Sequence, residues 1–254
     1  MSVITSRDNP RVRRWRELVR DARARRKARR ALIEGEHLVQ AFEAAGGRIE
    51  ELILSKTGMD KFPGRTGKAP VVLSDAVFRL IADTETPAGI AAEIALPSAD
   101  LDLKVSKSCV FLEGIQDAGN VGAILRSASA FGIRHAVLGK SCADAWSPKV
   151  LRAGMGAHFA MELQENADLV AAIAQFGGKV ACTVVRGGVA LNESDLSGRV
   201  GWLFGAEGQG VSEALMAKAA MKVTIPMPGG AESLNVAAAA AICFYEFSRR
   251  AARA

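Results

Sequence analysis

From residue 108 onward, short apolar runs alternate with stretches of helical periodicity, and few folds can absorb that pattern. The runs CVFLEGI, HAVLG, FAMEL, KVACTVV, GWLFG and MKVTI are strand-length and almost unbroken in apolar character, as expected of strands buried on both faces. Between them lie VGAILRSASAFG, SPKVLRAG, NADLVAAIAQFG, a short helix opened at Ser212 and a last helix opened at Ser233. This alternation predicts an α/β domain over 108–254, a mostly parallel sheet with helices on both faces. In such sheets ligands bind at the carboxyl ends of strands.

Residues 31–97 carry a shorter version of the same alternation and read as a small α/β domain. Residues 98–107 are polar and read as a linker. Residues 1–30 hold twelve Lys and Arg against three Asp and Glu, whereas the whole chain is only +6, so the rest of the protein is net acidic. That stretch reads as one basic helical arm, capped by Asp8 or Asn9, with Pro10 in the first turn and an apolar stripe of Val12, Trp15, Val19 and Ala22. Arg11, Arg13, Arg14, Arg16 and Arg20 cover its other faces. A polyanion such as RNA or DNA is the expected partner; a merely solvated basic helix is the alternative.

Several classes drop out. No run reaches the ~18 apolar residues of a membrane span, and no apolar segment follows the N-terminal basic residues as in a signal peptide. Cys109, Cys142, Cys182 and Cys243 form no Cys-x-x-Cys and only three histidines are present, so no metal site is expected. The thiols read as reduced, in the cytoplasm. RHAVLGKS ends like a phosphate-binding loop, but arginine stands where that motif needs its first glycine.

Three strand ends carry unusual chemistry. In LEGIQDAGNVGAILRSASAFG, Gly119 permits a turn and Asn120 occupies an expected helix N-cap. Arg126 lies off the apolar stripe, beside Gly122 and Ser129. In LFGAEGQGVS, Glu207 sits among Gly205, Gly208 and Gly210. In IPMPGGAESLNVAAAAAICFYE, prolines and glycines bend the strand exit, and Ser233 is the expected cap of the last helix. Capping does not explain a further amide at Asn235. A surface arginine, a flexible turn and a capped helix are the plain readings of these stretches taken singly.

Together the three stretches resemble the motifs of the SpoU (TrmH-like) family of RNA ribose 2′-O-methyltransferases, in the SPOUT superfamily. Residues 31–95 are similar to the substrate-binding domain often found ahead of the catalytic one. The resemblance implies S-adenosylmethionine as cofactor, a C-terminal trefoil knot, and a homodimer with its active site near the subunit interface. By position it assigns catalytic roles to Asn120, Arg126, Glu207, Ser233 and Asn235, and cofactor contacts to Gly205, Ile225, Pro226, Met227, Leu234 and Val236. Gly154 stands where family members often have serine. The extra N-terminal domain favours ribosomal RNA over transfer RNA; a non-catalytic RNA-binding protein on the same fold is the competing reading.

The implied reaction needs the 2′-oxygen and the methyl carbon in line, about 3 Å apart. The resemblance makes Arg126 the base. A guanidinium, with a pKa above ~12, is a poor base when charged, so Arg126 either loses its proton in a special pocket or clamps a phosphate while another group takes the proton. Both roles are open at the level of sequence.

Overall fold

In the computed structural model, which describes residues 2–63, 69–97 and 101–251, the N-terminal thirty residues are core-forming rather than a free arm. Strand β1 (Val3–Ile4) precedes helix α1 (Pro10–Arg20), whose N-cap Asn9 accepts from the amide of Arg11. The buried positions of α1 are Val12, Trp15 and Leu18, not the expected 12, 15, 19, 22 series. They pack with Leu32, Ile53, Leu73 and Phe78. Trp15 Nε1 donates to Glu93 Oε2 at 2.7 Å, so the buried indole finds an acceptor. The expected single helix is two. Asp21 leaves helical geometry at φ −123° and its carboxylate caps α2 (Ala22–Ala28) by accepting from the amide of Arg23. A short acidic side chain competes for backbone amides in this way and breaks the run.

Around this helix pair the first compact unit builds a five-stranded mixed sheet, in the order β1-β4-β3-β5-β2. Its other strands are β2 (Arg30–Glu34), β3 (Ile49–Ser55), β4 (Val71–Leu73) and β5 (Ile90–Ala95), with β5 antiparallel to both neighbours. Helices α3 (Glu36–Ala44), α4 (Lys56–Lys61) and α5 (Asp75–Phe78) connect them. Residues 146–159, which the sequence pattern assigns to the C-terminal domain, group with this unit.

The second unit holds β6 (Ser108–Leu112), α6 (Ala118–Ala130), β7 (His135–Gly139), β8 (Glu162–Ala167), α8 (Leu169–Gln175), β9 (Lys179–Thr183), β10 (Val189–Ala190), β11 (Val200–Phe204), α9 (Glu213–Met216), β12 (Met221–Thr224) and α10 (Val236–Ala251); α7 (Pro148–Gly154) lies in the segment grouped with the first unit. The order is β10-β12-β9-β11-β6-β7-β8 and every neighbouring pair is parallel. The expected strand FAMEL is displaced: Ala157–Ala160 form a 3-10 turn and the strand starts at Glu162.

Strand β11 sits between β6 and β9 and is buried throughout. Its side chains alternate. Leu203 joins Phe111, Val180 and Ile173 in one core, while Trp202 and Phe204 meet Phe244 of α10 at ring separations of 6.4 and 5.6 Å. Residues 98–100 of the expected linker lie outside the described residues. Two of its other residues are packed: Leu103 is buried in the same core and Ser106 is also buried, and Arg199 donates to the carbonyls of both.

All four thiols are free. Burial pushes Cys182 up to about 11 and Cys243 up to about 12, with Cys109 and Cys142 also raised by burial. Among the described residues no group of three or more His, Cys, Asp or Glu could hold a metal ion, and no helix is long and apolar enough to cross a membrane.

Candidate active site

Three backbone turns at the carboxyl ends of β6, β11 and β12 bring a small polar ring together. The first turn opens α6. Its N-cap is Asp117, which accepts from the amide of Asn120 at 2.8 Å. Asn120 is therefore not the cap expected from sequence. It stands in the first turn of the helix with its side chain free for other contacts.

The second turn follows Phe204. A β-carbon on Gly205 would lie 2.1 Å from the carbonyl carbon and oxygen of Gly210, so this glycine is required by the return of its own loop. Gly208 and Gly210 have φ of +83° and +69°, and Gly210 N donates to Ala206 O at 2.8 Å. The tight loop holds Glu207 at its tip. Glu113, at the end of β6, fixes the far side by accepting from the amide of Ser212 at 2.7 Å.

The third turn leads from β12 into α10, and its cap is Asn235 rather than Ser233. Asn235 Oδ1 accepts from the amides of Ala237 and Ala238 at 2.9 and 3.2 Å. That bond assigns the amide orientation, because only the oxygen can accept. Its Nδ2 then points at the other two turns, donating to Glu207 Oε1 at 2.8 Å and to Asn120 Oδ1 at 3.0 Å. Asn120 Nδ2 closes the ring by donating to Glu207 Oε1 at 3.0 Å. The ring thus unites Asn120, Glu207 and Asn235.

Two clefts flank the 206–210 loop. One, of about 550 Å³, is lined by Thr183 at the end of β9 with Val184 and Val185 after it, by residues 205–210, and by Ile225, Met227, Ser233, Leu234, Asn235 and Val236. It gathers the expected cofactor residues apart from Pro226, which does not line it. The larger, about 760 Å³, is lined by Glu113, Gln116, Asn120, Lys140, Asp168, Gln209 and Ser212 among others. The 183–185 segment carries no motif. Only the strand order, which sets β9 beside both β11 and β12, places it in the smaller cleft.

The residues suit S-adenosylmethionine. The cleft is within the usual size for small-molecule sites. Val184, Val223, Ile225 and Met227 offer apolar walls for an adenine ring, and Glu232, Ser233 and Asn235 add polar groups to the lining.

Two members of the expected set stand apart. Arg126 is exposed on α6, lines neither cleft and makes no hydrogen bond among the described residues. Ser233 lines the smaller cleft but is exposed and likewise unbonded. On α1, Arg14 pairs with Glu51 and Glu93 at 2.7 Å each, and Arg11 pairs with Glu51 at 3.4 Å, while Arg13 and Arg20 remain exposed and Arg16 is half-buried.

This chain is similar to known proteins over most of its length. Residues 107–245 match the SpoU rRNA Methylase family, and residues 9–92 match the MRM3-like substrate binding domain. The 23S rRNA (guanosine(2553)-2′-O)-methyltransferase RlmP of Bacillus subtilis (strain 168) is 34% identical over 247 residues, covering 96% of this chain and 98% of the relative. The 23S rRNA (guanosine-2′-O-)-methyltransferase RlmB of Coxiella burnetii is 33% identical over 144 residues, covering 56% of this chain and 58% of that one. An AdoMet-bound rRNA methyltransferase from Sinorhizobium meliloti has the same fold, with a TM-score of 0.82 at 26% identity and 98% coverage of both chains. An RNA 2′-O ribose methyltransferase gives 0.82 at 27% identity, covering 99% of this chain and 100% of that one. With a family match over more than half its length and a relative alike from end to end, this chain belongs to the SpoU rRNA methylase family.

Proposed function

We propose that the chain methylates a ribose 2′-hydroxyl in RNA, with S-adenosylmethionine as donor, and that 23S ribosomal RNA is the substrate rather than transfer RNA. The observation that carries this is the hydrogen-bonded ring of Asn120, Glu207 and Asn235 beside a cofactor-sized cleft. Relatives named as 23S rRNA 2′-O-methyltransferases support the choice of RNA.

When bound, S-adenosylmethionine supplies an electrophilic methyl group on a sulfonium. Gly205, Ile225, Met227, Leu234 and Val236 hold the cofactor, with Pro226 stiffening the turn between them. Glu207, held by two side-chain amides, fixes Asn120 and the mouth of α10 in one geometry, so reacting groups need little reorganisation. Arg126 is exposed on α6 and pairs with no carboxylate among the described residues, so its planar fork is open to a phosphate. We assign it to clamp the phosphate next to the target ribose, with the 2′-proton passing to water or another group. Ser233 contacts the same nucleotide.

Three finer readings accompany this one. The chain forms a homodimer, supported by Ile242 and Tyr245, which α10 leaves 41% and 57% exposed. The 183–236 segment threads a trefoil knot, supported by the insertion of β11 between β6 and β9. The protein works in the cytoplasm, supported by its four unpaired thiols.

The test is incubation with radiolabelled S-adenosylmethionine and unmodified 23S rRNA, followed by nuclease mapping of the label. Incorporation at one ribose 2′-oxygen is expected. RNA binding without label transfer would overturn the catalytic reading and favour a non-catalytic RNA-binding protein.

A further inference from the structure

The two N-terminal helices differ in how part of their charge is matched. On α1, Arg11 and Arg14 are matched by Glu51 and Glu93 from the sheet beneath. On α2, Arg23, Arg26 and Lys27 are exposed and pair with no carboxylate among the described residues. These three stand at i, i+3 and i+4, a spacing that puts them on one helix face. The nearest acid in sequence, Asp21, is occupied as the cap of α2.

Arg25 explains why that face points outward. It lies about half a turn from Arg23 and Lys27 and is buried. Its Nη1 donates to the carbonyls of Leu18 and Val19, the latter at 3.1 Å, so it satisfies the C-terminal end of α1. One basic residue of α2 is thus spent on docking the helix, and the docking fixes the direction of the rest. Three like charges at this spacing repel one another in a seven-residue helix that is marginal by itself. A polyanion would relieve that repulsion, and no carboxylate among the described residues does so.

We infer that α2, through Arg23, Arg26 and Lys27, is the face by which this chain grips the phosphate backbone of its RNA, and that Arg11 and Arg14 of α1 are structural. The inference rests on RNA being the substrate. It revises the sequence expectation, which put the RNA contacts on α1.

The test compares full-length variants by the salt dependence of binding to one 23S rRNA fragment, with thermal melts as a check on folding. The variant R23Q/R26Q/K27Q should lower the slope of log K against log [salt] by about 2 to 3, since each phosphate contact contributes about 0.7–0.9. R23K/R26K keeps the charges and should keep the slope. R11Q/R14Q should change it by less than about 1, because those charges are already paired. A wild-type slope in R23Q/R26Q/K27Q, or an equal loss in R11Q/R14Q, would overturn the inference. If the triple variant melts early, R26Q/K27Q gives the same reading with two charges removed. Methyl transfer is measured in parallel on the wild-type protein. Binding without transfer sinks the methyltransferase reading and leaves the slopes to decide on α2; no binding by the wild-type protein sinks both.

Discussion

Asn235 faces two ways: its Oδ1 caps α10 at Ala237 N, 2.9 Å away, and its Nδ2 donates to Glu207 Oε1 at 2.8 Å. One side chain therefore both starts a helix and ties the β12 turn to the β11 turn. Substitutions can separate these duties.

Asn235→Asp keeps an oxygen for the helix amides but sets a second carboxylate against Glu207. We expect near-normal thermal stability with methyl transfer down at least 100-fold. Asn235→Ala loses the cap as well, at a cost of about 1 kcal/mol. Melting curves and single-turnover rates on both variants check this; normal turnover in Asn235→Asp would show that the ring is only structural.

Arg126→Ala should abolish transfer while leaving S-adenosylmethionine affinity within a few-fold, because Arg126 lines neither cleft. Calorimetric titration of the cofactor and a filter assay of RNA methylation separate the two effects.

Gly205→Ala places a β-carbon 2.1 Å from the Gly210 carbonyl. Backbone there cannot yield as a flexible side chain would. The 206–210 loop is expected to shift, weakening cofactor binding at least tenfold, as read by the same titration.

Removing residues 1–30 is expected to unfold the first unit rather than merely to weaken RNA binding. The cut takes away Val12, Trp15 and Leu18, each at most 1% exposed. Trp15→Ala alone should cost about 3–5 kcal/mol, measurable by denaturant titration.

Near the end of α10, Arg249 and Arg250 bond to Glu246 and lower its carboxyl from 4.5 to about 2. Stability from this group is full above about 4.5 and is lost as the pH falls through about 2. Glu246→Gln should lower the melting temperature at pH 7 by ~3 °C, and the gap to the wild-type protein should narrow as the pH drops below 4.5.

Local pattern carried much of this protein. The unbroken apolar runs of β6 and β11 announce strands buried on both faces, and their alternation with helical periodicity announces a parallel sheet. Gly205, Glu207 and Asn235 were legible as unusual residues at strand ends. Short-range competition was not legible. Whether Asn120 or Asp117 caps α6, Ser233 or Asn235 caps α10, or Asp21 splits the basic helix depends on which oxygen reaches a free amide first. Neighbouring residues offer nearly equal chances.

Only the tertiary structure decided what lies far apart in the chain. The sequence determined a two-part α/β protein with three polar strand ends and a basic start. Folding determined that β11 enters between β6 and β9, so that residues 87 and 115 positions from Asn120 hydrogen-bond to it. It also determined that Glu51 and Glu93 pair with Arg11 and Arg14 of α1, while Arg23, Arg26 and Lys27 of α2 meet no carboxylate among the described residues. Charge matching and strand insertion are set by the three-dimensional packing of distant segments, and no window along the chain contains both partners.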